Sequence, residues 1–102
     1  MPDDLTQGVL RRELVERLTQ TRRERKEQEQ RLAQLKYEWG IAKRMRNQAR
    51  SEDEREKWRV QSDVYMGLIL QQESVVEELD ASVERYQNEL AELDDQLNVE
   101  TQ

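Results

Sequence analysis

The sequence contains no cysteine and no histidine. Without cysteine there can be no disulfide framework and no thiolate site. Without histidine, the commonest metal ligand and the commonest general base are both missing. Carboxylate pairs such as Glu77 with Glu78 are sequence neighbours, which point in different directions on a helix. The composition therefore predicts a protein that is not an enzyme, with no catalytic residues, no cofactor, no metal and no small-molecule substrate.

Helix breakers and large apolar side chains are also scarce. The 102 residues include one proline, three glycines and no phenylalanine, and 39% of them are charged. Few breakers together with abundant Glu, Arg, Gln and Leu are typical of a long helix or coiled coil. No run of about 18 apolar residues occurs, so we expect no membrane insertion. The expectation is a soluble intracellular protein, either cytoplasmic or nuclear.

A single heptad register predicts a long helix in the second half of the chain. Its members alternate in steps of four and three residues: Trp58, Ser62, Tyr65, Ile69, Gln72, Val76, Leu79, Val83, Tyr86, Leu90, Leu93 and Leu97. Only the serine and the glutamine interrupt the apolar pattern over more than five heptads. Such a sustained alternation predicts a coiled-coil helix.

Residues 64–70 are the longest stretch in which apolar side chains follow one another without a charged residue between them. Val64, Leu68 and Val75 form a second line beside the heptad register, and Met66 and Leu70 form a third. A helix that is apolar all round must be covered on more than one side. This stretch is therefore the predicted centre of the protein's packing.

The first half has its own register, with a polar middle. Leu14 and Leu18 connect to Leu32, Leu35, Trp39 and Ala42 by heptad steps that cross residues 19–31, where no large apolar side chain occurs. That polar segment contains no Gly, Pro or Ser, and its residues other than threonine are reasonable helix formers. We expect one helix over residues 5–49.

When the two heptad registers are extended toward each other, they are out of step by two residues. This mismatch predicts a turn near residues 47–53. Ser51 and Glu54 have the spacing of a capping box at the start of a second helix, expected over residues 52–98. The predicted fold is an all-α, long antiparallel helical hairpin that forms a single coiled-coil module over residues 1–102. One continuous helix in an antiparallel dimer is the alternative.

Opposite charges on the two halves favour the antiparallel arrangement. Residues 1–50 have a net charge of +5 and residues 51–102 a net charge of −11. If the chain folds back near residue 51, the basic residues 22–26 come beside Glu77, Glu78 and Asp80. The polar segment then faces residues 71–83 and leaves Val75, Val76, Leu79 and Val83 without apolar partners.

This deficit predicts a protein interface on the second helix. The predicted interface residues are Trp58, Val64, Tyr65, Leu68, Ile69, Val75, Val76 and Leu79, with Trp39, Leu35 and Met66 as secondary members. The partner is either a second copy, forming a four-helix bundle, or another coiled-coil protein. The predicted role is that of a scaffold or adaptor in a larger complex. A nucleic-acid-associated protein that uses the basic first helix, residues 11–50, is the alternative, although the chain is anionic overall.

Overall fold

The computed structural model describes residues 4–101, and side-chain environments within residues 5–98. Helix α1 spans Asp4–Gln48 and helix α2 spans Glu52–Thr101. The two helices pack against each other as an antiparallel hairpin, which confirms the predicted fold class and excludes the alternative of one continuous helix. Helix α1 begins at the first described residue, and residues 1–3 and 102 of the predicted module lie outside the described range.

The turn between the helices is held by hydrogen bonds rather than by a special backbone conformation. The Ser51 hydroxyl accepts a hydrogen bond from the backbone N–H of Glu54 at 3.2 Å, as the predicted capping box requires. The Glu54 carboxylate accepts a hydrogen bond from the backbone N–H of Arg50 at 3.4 Å. In a capping box the donor would be the backbone N–H of Ser51, one residue later. The described backbone contains no residue with positive φ, so the turn needs no glycine.

Each of two compact units contains a part of α1 packed against a part of α2. One unit combines the described residues of 1–25 and 78–102, and the other is Lys26–Glu77. The prediction that residues 1–102 act as one coiled-coil module therefore stays a prediction.

The heptad register of α2 is the side that the hairpin buries. All twelve predicted members, from Trp58 to Leu97, are buried or half-buried. Ile69 and Val83 are among the most buried apolar residues, at 4% and 8% exposed, and Ser62 and Gln72 are buried as well. The periodic pattern in the sequence therefore identifies the inward face of α2.

The register of α1 continues through the polar segment without interruption. Leu18 and Ala42 are buried at its two ends, and Thr21, Arg25 and Gln28 are half-buried between them. Residues 19–31 are helical throughout, as predicted. Two of these polar residues have hydrogen-bond partners. The amide nitrogen of Gln72 donates to the side-chain oxygen of Gln28 at 2.7 Å, and the Thr21 hydroxyl donates to the carbonyl oxygen of Arg17 at 2.7 Å.

Ion pairs join basic residues of α1 to acidic residues of α2. Arg11 Nε lies 3.0 Å from Asp94 Oδ1, and Lys36 Nζ lies 3.9 Å from Glu73 Oε1. Arg25 pairs with Asp80, one of the acidic residues predicted to face it. These side chains are 41–55% exposed and accessible to water, so each pair contributes only about 0–1 kcal/mol and selects orientation more than it stabilises the fold.

Candidate protein-interaction surface

One side of α2 within the unit Lys26–Glu77 exposes apolar side chains to solvent. Val60, Val64, Leu68 and Val75 are 40–54% exposed. Gly67 and Gln71 lie among them and are exposed too. We call this surface the outer face; it consists of six uncharged residues: Val60, Val64, Gly67, Leu68, Gln71 and Val75. Its span of 15 residue steps corresponds to about 22 Å along the helix.

The outer face is a direct consequence of burying the heptad register. Val64 and Ile69 are five residues apart, which places them about 140° apart around a helix of 3.6 residues per turn. A helix that buries Ile69 against α1 must therefore direct Val64 away from α1. Ile69 is 4% exposed and Val64 is 54% exposed, as this geometry requires.

Gly67 forms a notch in the outer face. A methyl group added at its Cα would meet no atom within 4 Å, and its backbone does not have positive φ. Glycine inside a helix costs about 0.5–1 kcal/mol relative to alanine. No neighbouring side chain in the hairpin requires a glycine at position 67, so packing within the hairpin does not explain why this cost is accepted. The same is true of Gly8 and Gly40.

Three charged residues near the start of α2 are paired with one another. Arg59 donates to Glu56 through Nε at 2.9 Å and Nη2 at 2.5 Å, and to Asp63 through Nη1 at 3.1 Å. The hydrogen bonds and charge of Arg59 lower the pKa of Glu56, and those of Glu56 raise the pKa of Arg59. Residues 58–72 contain one arginine and one aspartate, so this part of α2 has no net charge.

Other exposed apolar residues of the same unit lie away from the outer face. Leu70 is 57% exposed and Met66 is 37% exposed. Leu70 lies about 120° and Met66 about 160° around the helix from Val64. They therefore form a separate flank of α2, which carries Glu73 and Glu77 as well.

The structure divides the eight predicted interface residues between the outside and the inside of the hairpin. Val64, Leu68 and Val75 are exposed on the outer face, whereas Ile69 is buried. The other four are half-buried in the heptad register: Trp58, Tyr65, Val76 and Leu79. Of the secondary members, Met66 is exposed, and Trp39 and Leu35 are half-buried.

The sequence predicts four residues of α2 without apolar partners opposite the polar segment: Val75, Val76, Leu79 and Val83. In the structure Val83 is buried and Val76 and Leu79 are half-buried, so only Val75 of the four is exposed, at 40%. Arg11–Asp94 and Arg25–Asp80 show the stagger of the two helices in the unit of residues 1–25 and 78–102, because the numbers of each pair add up to 105. With that stagger Val83 lies near the level of Thr21, which is half-buried.

Sequence reasoning missed three residues of the outer face: Val60, Gly67 and Gln71. Val60 precedes Val64 by four residues, so extending the second apolar line by one helical turn would have found it. The glycine and the glutamine carry no hydrophobic signal. Only their position between exposed apolar residues shows that they belong to the same surface.

Two aromatic residues of the predicted interface make specific polar contacts within the hairpin. The charge of Glu38 raises the pKa of Tyr65, and burial together with a hydrogen bond from the Tyr65 hydroxyl to Glu38 adds to the effect. The ammonium of Lys43 lies 4.3 Å from the ring centroid of Trp39, within the range of a cation–π interaction. Both aromatic residues thus have roles inside the hairpin itself.

The basic residues of α1 are partly engaged by α2. Arg11, Arg25 and Lys36 form ion pairs with acidic residues across the two helices. Arg25 is one of the basic residues 22–26, and its ion pair supports a structural role for this segment, since a cation that pairs with a carboxylate is less available to a phosphate.

No group of three or more carboxylates within residues 4–101 is arranged to hold a metal ion. Neither helix, over its described length, has a stretch that is long and apolar enough to cross a membrane. Comparison with protein-family models, with curated proteins and with solved structures gave no match to the chain.

Proposed function

We propose that this protein is a non-enzymatic coiled-coil module that associates with a second copy of itself and serves as a scaffold or adaptor in a larger intracellular assembly. The observation that carries the proposal is the outer face of α2, where four apolar side chains and no charged ones lie within six surface positions. Contiguous apolar surface of this kind is typical of protein–protein interaction sites.

The size of the outer face favours a reversible association. Full burial of a Val or Leu side chain stabilises by about 1.5–3 kcal/mol, so burying the exposed half contributes on the order of 1 kcal/mol. Four such side chains per chain contribute on the order of 8 kcal/mol per dimer. Association itself costs about 4–15 kcal/mol. The two terms are comparable, so the dimer depends on concentration and on other contacts in the assembly.

A non-enzymatic role is supported by the residue types that the chain carries. It has neither histidine nor cysteine, and its charged residues lie mostly on exposed helix surfaces. The perturbed carboxylate, that of Glu56, belongs to a side chain that is 60% exposed and is paired with Arg59. Catalytic groups are more typically perturbed by burial in a cleft.

The mass of the chain in solution tests the proposal. Sedimentation equilibrium from about 1 to 100 µM should show a monomer–dimer equilibrium for the natural chain. Val64→Glu should raise the dissociation constant at least ~10-fold, because a charge on the buried contact must be desolvated. Helicity should not change, since Val64 lies outside the hairpin core.

Val9→Glu is the matched control. Val9 is 52% exposed on α1, against 54% for Val64, so both variants add one charge to an equally exposed helix position. The natural dissociation constant is expected for Val9→Glu. A natural chain that remains monomeric over the whole range would disprove self-association. Ile69→Asp is unsuitable as a probe, since Ile69 is buried and its replacement would unfold the hairpin.

A further inference from the structure

The outer face of α2 has the same spacing when it is read from either end. Its positions are symmetric about the midpoint between residues 67 and 68. The mirrored pairs are Val60 with Val75, Val64 with Gln71, and Gly67 with Leu68. In a two-fold dimer, residue i contacts residue j of the partner and j contacts i. The spacing therefore matches a second copy that runs in the opposite direction.

We propose that two copies of the chain associate through their outer faces with the two α2 helices antiparallel and the two-fold axis between Gly67 and Leu68. This geometry rests on the proposed function, because it requires the chain to dimerise. It places Leu68 of each copy over Gly67 of the other. The contact is formed by the two α2 helices, because the outer face points away from α1 in each copy.

The notch at Gly67 suits such a close approach. Above its Cα there is open space, where a methyl group would meet no atom within 4 Å. Glycine at a helix surface allows another backbone or a large side chain to come near. The exposed side chain of Leu68, 40% exposed in the single hairpin, has the size to fill this space.

Charged residues at the two ends of the outer face distinguish the antiparallel from the parallel arrangement. Lys57 precedes Val60 by three residues, Glu78 follows Val75 by three residues, and both charged side chains are exposed. The antiparallel dimer brings Lys57 of each copy beside Glu78 of the other, twice by symmetry. A parallel dimer would instead bring like charges together, which is unfavourable.

Cysteine cross-linking tests the register, because the natural chain contains no cysteine. Single variants Val60→Cys and Val75→Cys would be purified and oxidised separately, and then as an equimolar mixture. A disulfide requires Cα atoms about 4.4–6.8 Å apart. In the proposed register residue 60 of one copy lies opposite residue 75 of the other. The two copies of residue 60 are then separated by about 22 Å along the helix axis, and so are the two copies of residue 75. The mixture should form disulfide-linked heterodimers at least ~10-fold faster than either variant alone forms homodimers.

The cross-linking pattern tests the antiparallel register, and the mass of the natural chain tests self-association. Homodimers of Val60→Cys that form as fast as heterodimers would overturn the antiparallel register, while self-association through this face would stand. A dimeric mass without any cross-link would overturn the register as well. A monomeric mass for the natural chain would overturn the proposed function together with the register. Leu70→Cys, on the flank about 120° away, is the control that should not cross-link.

Discussion

Gln72 of α2 donates from its amide nitrogen to both the backbone carbonyl and the side-chain oxygen of Gln28 of α1, at 3.0 and 2.7 Å. Gln72 is 7% exposed and occupies a heptad position. A buried polar pair at such a position costs stability relative to an apolar pair, and it sets the register between two helices. This pair joins the two helices near the ends of the unit Lys26–Glu77.

Gln72→Ala should lower the free energy of unfolding by about 1–2 kcal/mol, because the half-buried side chain of Gln28 loses its partner. Chemical denaturation followed by circular dichroism measures the change. Gln30→Ala, at an exposed position of α1, is the control and should shift stability by less than about 0.5 kcal/mol. A double-mutant cycle with Gln28→Ala should give a coupling of about 0.5–1.5 kcal/mol; additive effects would contradict a direct interaction.

Ile69→Ala should destabilise the hairpin far more than Leu70→Ala. Ile69 is 4% exposed and its neighbour Leu70 is 57% exposed. Truncating a buried isoleucine costs about 2–5 kcal/mol through lost transfer energy and the cavity that remains, whereas truncating an exposed leucine costs much less. Thermal unfolding of the two variants at equal concentration provides the comparison. Similar losses would mean that Leu70 is covered in solution.

Ser51→Ala should cost about 1 kcal/mol, because the first turn of α2 loses the acceptor that caps the N–H of Glu54. Ser51→Asp should retain most of the stability, since aspartate caps a helix N-terminus equally well. Ser74→Ala is the control: its hydroxyl only bonds back to the carbonyl of Leu70 within the helix. Equal stability of the Ser51 and Ser74 variants in urea denaturation would rule out a role for the cap.

Tyr65 should lose its proton only above the ordinary range of tyrosine, because the carboxylate of Glu38 raises its pKa from 10.0. The raised pKa contributes stability that is fully present below pH 10, the value for the unfolded chain, and that is lost as pH rises through the folded value. Glu38→Gln should lower the pKa of Tyr65 by removing the charge.

Ultraviolet titration of tyrosinate measures this pKa in a chain where the other two tyrosines, Tyr37 and Tyr86, are replaced by phenylalanine. The same double replacement with Glu38→Gln gives the matched comparison. A Tyr65 titration that Glu38→Gln leaves unchanged would exclude the proposed charge effect. Circular dichroism over the same pH range shows whether the hairpin remains folded.

Local patterns were sufficient to predict the helices and the turn. The heptad spacing from Trp58 to Leu97 predicted which residues α2 buries, because a helix of fixed pitch presents residues three and four apart on one side. Ser51 and Glu54 predicted the start of α2, since a cap requires only neighbouring atoms. The opposite net charges of the two halves predicted the antiparallel direction.

The composition of the interaction surface could not be predicted in the same way. Ile69 and Val64 are both apolar members of residues 64–70, and a pattern of hydrophobicity treats them alike. The structure buries one and exposes the other, because α1 covers only one side of α2. The pairing of Arg11 with Asp94 likewise could not be read from the sequence, since the stagger of two packed helices depends on all their contacts together.

The sequence by itself thus determined the periodicity, the position of the turn and the direction of the second helix, all of which follow from local geometry and net charge. Only the tertiary structure decided that Gln72 faces Gln28 and that Val60, Val64, Leu68 and Val75 remain outside. The physical reason is that exposure is a property of how two helices are rotated and staggered against each other, and no single residue or local spacing specifies that rotation.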